Sequence, residues 1–202
     1  MLKLGVLVSG RGSNMEAIIR SIQSGNLSAE IRVVISDQPD AEALVKARVH
    51  GIEAKYIPPG NLKSVLDPEA EKSYVVCLKE YEVDLVVLAG FLRILKRHFL
   101  ESFPGKIMNI HPALLPSFPG LDAQNQALQY GVRYTGCTVH FVTEEVDGGP
   151  IILQSVVSVL PDDTSESLSE RILEEEHRIY SEAIQLYSEG RLRIEGRRVV
   201  IQ

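Results

Sequence analysis

The fold is decided by one stretch near the start of the chain, Leu2-Lys-Leu-Gly-Val-Leu-Val-Ser-Gly-Arg-Gly-Ser-Asn14. Residues 2–8 are almost continuously apolar, which is typical of a strand buried on both faces of a parallel sheet. A turn with two glycines follows, and residues 15–22 then show the spacing of an amphipathic helix. Strand, glycine turn and helix in this order predict the opening unit of an α/β fold.

The glycine turn also predicts an anion site. Glycine lets backbone N–H groups come close to an anion, and a helix N-terminus adds unpaired donors and the positive end of a dipole. Ser13 or Asn14 can cap the helix or contact the anion itself. The turn has neither the third glycine of a dinucleotide-binding turn nor the lysine of a P-loop, so one phosphate on a mononucleotide-sized ligand is favoured. A tight turn with an ordinary helix cap is the alternative.

Strands and helices continue to alternate through the first half of the chain. The apolar strand patterns are 31–35, 53–57 and 83–89, and the helical patterns between them are 41–50 and 68–82. This alternation implies right-handed βαβ units. We therefore predict a Rossmann-like α/β fold, with a mostly parallel twisted sheet flanked by helices.

The second half of the chain has a different pattern. Two strand patterns, 133–142 and 151–159, lie so close in sequence that an antiparallel hairpin is expected. A long amphipathic helix is predicted over 165–189, followed by a closing hairpin of 192–194 and 199–201. We predict an antiparallel extension of the sheet here, and one domain over residues 1–202.

Composition excludes several classes of protein. Of the 202 residues 45% are hydrophobic and 24% charged, and the net charge of −6 comes without a basic cluster, so no nucleic-acid partner is expected. We see no apolar run of membrane-spanning length and no signal-peptide pattern, and we expect a soluble, cytoplasmic protein with no membrane partner. Cys77 and Cys137 lack metal-ligand spacing, so we expect reduced structural thiols.

The stretch Asn109-Ile-His-Pro112 is the strongest sign of chemistry. Asn109 and His111 are two residues apart, so both side chains point to one side of an extended chain, and Pro112 favours extended backbone at His111. Asp147, in the glycine-rich loop 143–150, is the best candidate carboxylate partner, and it would favour a protonated imidazole. An imidazolium beside an amide suits an oxyanion that forms on a carbonyl. Strand-end polar residues bonded to nearby backbone are the alternative.

No serine or cysteine nucleophile and no metal motif is apparent, since the sequence contains neither G-x-S-x-G nor H-E-x-x-H. Direct acyl transfer between two bound substrates is the mechanism that remains. Gly90-Phe-Leu-Arg-Ile-Leu95 follows the most apolar strand and could form an apolar slot for a flat heterocycle. Taken individually, its residues are more often ordinary core residues.

Four motifs together resemble the phosphoribosylglycinamide formyltransferases, a family of folate-dependent formyltransferases. They are Gly10-Arg-Gly-Ser-Asn14, Leu88-Ala-Gly-Phe-Leu-Arg-Ile-Leu95, Asn109-Ile-His-Pro-Ala-Leu-Leu-Pro116 and the run from His140 to Gln154 that contains Asp147-Gly-Gly-Pro150. The resemblance implies transfer of a formyl group from 10-formyltetrahydrofolate, as co-substrate, to the amine of glycinamide ribonucleotide in purine biosynthesis. From the missing metal motifs we expect no metal, and we predict a monomer or homodimer.

The resemblance also implies a role for individual residues. The catalytic residues would be Asn109, His111 and Asp147. Substrate would be bound by Gly12, Ser13, Asn14 and Glu176, although from the residues alone the helix face of Glu176 reads as solvated. The folate would contact Leu92, Arg93, Ile94, Leu95, Asn109, Val142, Thr143 and Val146. Residues 1–105 would form the phosphate-binding half, and 106–202 the catalytic and folate-binding half.

The sequence departs from the family pattern at one basic position, and it leaves rival functions open. Many members carry an arginine after the third strand where this sequence has Asp67, and Lys63 or Lys72 could supply the charge instead. A formyltetrahydrofolate deformylase would share the catalytic residues. A non-catalytic module that binds a phosphate ligand would keep the glycine turn but would have no use for Asn109, His111 and Asp147 together.

Overall fold

A computed structural model describes residues 1–202 and shows nine strands and six helices. Two compact units are present, Met1–Met108 and Asn109–Gln202, and β5 runs across their boundary. The elements in chain order are β1 Leu2–Val8, α1 Ser13–Gln23, β2 Ala29–Ser36, α2 Glu42–Val49, β3 Ala54–Tyr56, α3 Pro68–Glu80, β4 Leu85–Leu88, α4 Arg97–Ser102, β5 Ile107–His111, α5 Ala123–Tyr130, β6 Tyr134–Phe141, β7 Ile151–Ser158, α6 Ser165–Ser188, β8 Leu192–Glu195 and β9 Arg198–Ile201.

The first unit is built on four parallel strands that lie in the order β3-β2-β1-β4. β1 pairs in parallel with β2 and β4, and β2 pairs in parallel with β3. Residues 4–8 of β1 are all buried, as expected for a strand covered on both faces. At Gly5 an added Cβ would lie 2.4 Å from the side chain of Leu78, so the glycine allows α3 to pack closely on β1. The prediction of a Rossmann-like, mostly parallel sheet is confirmed.

The second unit continues with the order β5-β6-β7-β9-β8. β6 and β7 form the predicted antiparallel pair, and β8 and β9 form the predicted closing hairpin. β9 also pairs in parallel with β7 at Arg198 and Ile151. The long helix α6 packs on β6 and β7 with a stripe that includes Leu168, Ile172, Ile179 and Ala183, all buried. The predicted antiparallel extension is therefore confirmed, whereas the prediction of a single domain stays a prediction.

Two local features differ from the sequence analysis. Helix α1 begins one residue after Gly12, which is its N-cap with φ +74°, and no side chain caps it, so the expectation that Ser13 or Asn14 caps this helix is wrong. The sequence analysis also missed α4, a helix of six residues, because one and a half turns are too short to show a period. The Glu71 carboxylate accepts a hydrogen bond of 2.7 Å from the backbone of Lys96, where α4 begins.

Both cysteines are free and buried, which confirms the prediction of reduced structural thiols. Burial raises the pKa of the Cys137 thiol to about 12, and the neighbouring Glu176 and Glu175 carboxylates add to this increase. Burial likewise raises the pKa of Cys77. Neither thiol is therefore suited to act as a nucleophile. None of the helices has the length and apolar character needed to cross a membrane.

The N-terminus of α6 offers a test of local stability. Thr164 Oγ1 accepts a hydrogen bond from the Ser167 backbone N–H (3.2 Å), and Ser167 Oγ accepts one from the Thr164 backbone N–H (3.0 Å). We expect Thr164→Ala to lower the free energy of unfolding by about 1 kcal/mol, because the Ser167 backbone N–H loses its acceptor. Urea denaturation measures the change. Glu170→Ala, at an exposed position of the same helix, should change the stability by less than about 0.5 kcal/mol, and an equal loss in both variants would contradict this account.

Candidate active site

Four polar side chains converge in the second unit. Asn109 and His111 come from the end of β5, His140 from the end of β6, and Asp147 from the loop between β6 and β7. His111 Nδ1 lies 3.3 Å from Asp147 Oδ2, and Asn109 Nδ2 donates to Asp147 Oδ1 over 3.5 Å. Asn109 Nδ2 also lies 3.2 Å from His140 Nε2. The structure thus brings together the three residues proposed from the sequence, with a second histidine among them.

The backbone conformation of the loop between β6 and β7 holds Asp147 close to the end of β6. Its φ of +52° lies in the left-handed region, which aspartate adopts more readily than most residues. At Gly149 an added Cβ would lie 1.8 Å from the carbonyl oxygen of Phe141, so only glycine allows the loop to pass this close to the end of β6. Arg197, in the turn between β8 and β9, donates to the Gly148 carbonyl over 3.2 Å. The loop is therefore held on both sides of Gly148.

Both ring nitrogens of His111 face oxygen acceptors. Nε2 lies 2.8 Å from the carbonyl oxygen of Phe118, which can only accept, so Nε2 carries a hydrogen. Nδ1 faces the Asp147 carboxylate, and a hydrogen bond there requires a hydrogen on Nδ1 as well. The side chain of His111 is only 5% exposed, so water contributes little to either contact. Both contacts are satisfied only by the imidazolium form.

The Asp147 carboxylate is partly buried, and burial alone would raise its pKa. Hydrogen bonding with His140, the Gly120 backbone N–H at 2.8 Å from Oδ2, and the charge of His111 outweigh burial and hold the pKa below the ordinary 3.8. Asp147 is therefore an anion at neutral pH. Its negative charge favours donors at every neighbouring position.

His140 was missed by the sequence analysis. It is 2% exposed, and its Nδ1 lies 2.9 Å from the carbonyl oxygen of Phe141, which requires a hydrogen on Nδ1. Nε2 faces two groups, Asn109 Nδ2 at 3.2 Å and Asp147 Oδ1 at 3.6 Å. With a hydrogen it donates to the carboxylate, and without one it accepts from the amide. The only signal in the sequence was the alternation of β6, which places a histidine two residues before the loop. A buried histidine in a strand reads equally well as core.

The loop after His111 is pinned by the buried Thr138. Its Oγ1 donates to the Ala113 carbonyl (2.7 Å) and accepts from the Leu115 N–H and from Gln154 Nε2, both at 3.0 Å. The Leu115–Pro116 peptide bond, whose isomer the sequence left open, is cis. Three segments of the second unit therefore meet at one hydroxyl group, and they fix the path of the chain after His111.

In the first unit, Gly12, Ser13 and Asn14 form the start of α1, as the anion-site prediction requires. The first N–H groups of a helix have no partner inside the helix. A cleft of about 300 Å³ lies beside this turn, lined by Ser9, Gly10, Arg11, Gln38, Pro39, Asp40, Ala41 and Glu42. The cleft and the helix start are a suitable place for a phosphate group.

The residues predicted to contact the folate differ in their exposure and in the hydrogen bonds that they already form. Leu92 is 64% exposed and Leu95 is buried, while the N–H of Leu92 donates to Ser9 Oγ and that of Ile94 to the Ser64 carbonyl, both over 2.9 Å. Two backbone donors of this loop are thus already used within the protein. In the second unit Val142 is half-buried, and Thr143 and Val146 are exposed on the loop that carries Asp147.

Glu176 corrects one reading of the sequence. It is 7% exposed, so the expectation of a solvated helix face is wrong. Ile172, Ile179 and Tyr180, at spacings of three and four residues from it, are buried on the same side of α6. The helical spacing of these apolar residues was the sign in the sequence that Glu176 lies on the buried side of the helix.

Comparison with known proteins gives a consistent result. Residues 2–184 match the family model described as Formyl transferase. The chain is 42% identical over 194 residues to the phosphoribosylglycinamide formyltransferase of Haemophilus influenzae, covering 96% of this chain and 91% of that protein. It is 46% identical over 193 residues to the trifunctional purine biosynthetic protein adenosine-3 of Gallus gallus, where the match covers 96% of this chain and 19% of that protein. The chain thus spans about a fifth of the length of this trifunctional relative.

Solved structures give the same family. The glycinamide ribonucleotide transformylase 1 of Symbiobacterium toebii superposes with a TM-score of 0.95 at 51% identity, covering 100% of this chain and 94% of that one. A formyltetrahydrofolate deformylase of Pseudomonas syringae has a TM-score of 0.89 at only 27% identity, covering 99% of this chain and 65% of that one.

The charge state of Asp147 can be tested directly. We expect His140→Phe to raise the pKa of Asp147, because burial then opposes ionisation with one hydrogen bond fewer. Carbon-13 NMR of the carboxyl group across the acidic range measures the titration. His50→Phe, at an exposed histidine of the first unit, is the matched control and should leave the titration unchanged. A wild-type titration at or above pH 3.8 would contradict the assignment of Asp147 as a stabilised anion.

Proposed function

Because the chain belongs to the formyl transferase family, we propose that it transfers the formyl group of 10-formyltetrahydrofolate to the amine of glycinamide ribonucleotide. The products are N-formylglycinamide ribonucleotide and tetrahydrofolate, in purine biosynthesis. The observation that carries this proposal is the placement of His111 between the Asp147 carboxylate and an oxygen acceptor, with the Asn109 amide beside it. This arrangement offers hydrogen-bond donors to an oxygen that becomes negative.

The reaction is a direct attack. The neutral amine forms a bond to the formyl carbon, and the carbonyl electrons move to the oxygen, giving a tetrahedral oxyanion. The bond from that carbon to the folate nitrogen then breaks, and the proton lost by the amine passes to the folate nitrogen through His111 or water. An α-amino group titrates at about 7.7–8.0 in reference peptides, so a useful fraction is unprotonated near neutral pH.

Asp147 and His140 hold the two donors in the required state. Asp147 favours the imidazolium of His111, and an imidazolium donates more strongly to an oxyanion than a neutral ring does. His140 Nε2 lies 3.2 Å from Asn109 Nδ2 and so helps to hold the amide in the cluster. Holding the donors in place before the reaction avoids reorganisation when the charge forms.

The contact of His111 with Phe118 defines one step of this mechanism. The Phe118 carbonyl occupies His111 Nε2 at 2.8 Å, and Phe118 itself has a left-handed φ of +54°. For His111 to donate to the formyl oxygen through Nε2, this hydrogen bond must be released. The formyl oxygen then takes the place of the Phe118 carbonyl oxygen as the acceptor for His111 Nε2. Substrate binding is thereby coupled to displacement of the segment at Phe118.

The remaining residues are assigned to substrate binding. Gly12, Ser13 and Asn14 bind the phosphate, which the glycine turn and the helix start support. The buried Glu176 carboxylate binds the ribose hydroxyls, which agrees with the role that the family resemblance implies. The folate is bound by Leu92, Ile94, Leu95, Asn109, Val142, Thr143 and Val146. The side chain of Arg93 is already engaged within the protein and is reassigned below.

The wider setting of the protein follows from the same proposal. The ligands are small molecules, and we propose a cytoplasmic location because purine biosynthesis uses soluble intermediates. No group of three or more histidine, cysteine or acidic side chains is arranged to hold a metal ion, and the mechanism uses none. A monomer or homodimer stays a prediction.

Formyltetrahydrofolate deformylation is the competing function. The deformylase of known structure shares the fold, but at 27% identity it is far less similar than the transformylase at 51%. A deformylase would use water as the acceptor, and the phosphate turn would then have no ligand to bind.

Acceptor dependence separates the two reactions. We expect release of folate product from 10-formyl-5,8-dideazafolate only when glycinamide ribonucleotide is present, because the amine and not water attacks. The absorbance change of the released folate measures the rate. Release at the same rate without the acceptor would identify a deformylase, and binding of the ribonucleotide without any release would identify a binding module.

Removing the hydrogen-bond donors of the site, or the carboxylate that holds one of them, is expected to lower the activity. We expect His111→Ala and Asn109→Ala each to lower kcat about a hundredfold, because each removes one donor to the oxyanion. Asp147→Asn should also lower kcat strongly, since the amide no longer stabilises the imidazolium. Steady-state kinetics measure the loss, and circular dichroism checks that the variants stay folded. The exposed residues His98 and Asn26 provide matched controls, His98→Ala and Asn26→Ala, which should keep wild-type kcat. Near-normal kcat in all three site variants would refute the mechanism.

A further inference from the structure

Arg93 is engaged with the protein itself on two sides. Its Nε donates to Asp37 Oδ2 over 2.7 Å, and its Nη1 donates to the carbonyl oxygens of Leu62, over 3.0 Å, and Lys63. The side chain of Arg93 is 15% exposed, and that of Asp37 is 1% exposed. Among the ion pairs of this chain, this one is the most deeply buried that contains an arginine or a lysine.

Asp37 is an unusual partner for a purely stabilising pair. It follows the last residue of β2, and its Oδ2 also accepts from Gln38 Nε2 over 3.1 Å. Its Oδ1 is buried and has no hydrogen-bond partner. Burying an ion pair often costs as much as it returns, and an unpaired oxygen makes the cost larger. A fixed geometry is therefore a better reason for this pair than a gain in stability.

The geometry that Arg93 fixes is that of the donor loop, which we define as residues 90–95. Leu92 N–H donates to Ser9 Oγ, and Ile94 N–H donates to the Ser64 carbonyl, both over 2.9 Å. The Phe91 ring packs against Tyr74 with centroids 5.9 Å apart. Arg93 adds the only charged tether, from the middle of the loop to the end of β2.

The segment on the other side of Arg93 is itself held. Both carboxylate oxygens of Asp67 accept from backbone N–H groups, those of Asn61 (2.8 Å) and Leu62 (3.1 Å). Asp67 thus holds residues 61–62 by their N–H groups, while Arg93 holds residues 62–63 by their carbonyl groups. Residue 94 also forms a parallel bridge with Val65. Arg93 therefore joins the donor loop to two segments that are already fixed.

We propose that Arg93 is a positioning residue for the formyl donor: its ion pair with Asp37 sets the place of the donor loop, and its guanidinium does not contact the donor. This inference rests on the proposed function, because it assigns the loop to 10-formyltetrahydrofolate. It replaces the expectation that Arg93 belongs to the folate contacts. The exposed side chain of Leu92 and those backbone groups of the loop that are not bonded within the protein remain for the ligand.

The two roles of Arg93 predict opposite effects of removing Asp37. If Arg93 acts through the pair, Asp37→Asn and Arg93→Gln weaken donor binding by a similar factor, about tenfold, because each releases the loop. The double variant is then no weaker than either single variant, since the same tether is lost once. If Arg93 contacts the donor instead, Asp37→Asn leaves binding unchanged or tightens it, because the guanidinium is freed.

The measurement is the Kd of 10-formyl-5,8-dideazafolate by isothermal titration calorimetry, with KM for each substrate and kcat alongside. We expect Kd and KM for the folate to rise together while KM for glycinamide ribonucleotide and kcat stay near wild type. A general loss of structure would change all four quantities. Lys3→Met, which breaks the exposed pair of Lys3 with Glu82, is the matched control and should change none of them.

Each outcome decides the question. Arg93→Gln leaves a buried carboxylate without its partner, so a misfolded protein is a risk, and the neutral double variant and Asp37→Asn then carry the test. Weak binding in Arg93→Gln together with normal binding in Asp37→Asn overturns the positioning role, and normal binding in both variants overturns it as well. A wild-type protein that binds the folate but transfers no formyl group overturns the proposed function and leaves the Kd comparison valid. A wild-type protein that binds no folate overturns both.

Discussion

The candidate active site depends on the negative charge of one carboxylate, Asp147. Its two oxygens face His111, Gly120, His140 and Asn109, and hydrogen bonds and charge hold its pKa low despite burial. An anion can only accept hydrogen bonds, so its neighbours must donate. This requirement sets the proton on His111 Nδ1 and turns the amide nitrogen of Asn109 towards the cluster. The donor character of the whole site follows from the ionisation of a single residue.

Backbone constraints place that carboxylate. Asp147 lies in a left-handed conformation, and Gly149 passes the Phe141 carbonyl where no Cβ fits. Thr138 ties the segment after His111 to the middle of β6. Such positions tolerate few substitutions, because they are defined by close contacts and by φ rather than by volume. Precision of this kind is what oxyanion stabilisation requires, since donors act only at hydrogen-bond distance.

The sequence allowed prediction of those features that depend on interactions between residues close together in the chain. The period of two places Asn109 and His111 on one side, and apolar strands between helical patterns specify the sheet. The sequence does not show contacts between distant segments. Arg93 and Asp37 are 56 residues apart, and nothing near either residue indicates the pair. Glu176 is an intermediate case, because its apolar neighbours on the helix were visible but the acidic run 174–176 favoured a solvated reading. His140 was lost because a buried strand histidine has no local signature of function.

The two buried aspartates, Asp37 and Asp147, show how partner chemistry decides what a buried charge can do. Arginine keeps its proton at any pH that a folded protein experiences, so Arg93 passes no proton to Asp37 and their pair can only fix distances. Imidazole exists in a charged and a neutral form, so the histidine partners of Asp147 are able to give up or accept a proton during a reaction. A fixed pair is suited to hold a loop, and an exchangeable set is suited to handle a proton. The difference between the partners thus separates the positioning role of one aspartate from the chemical role of the other.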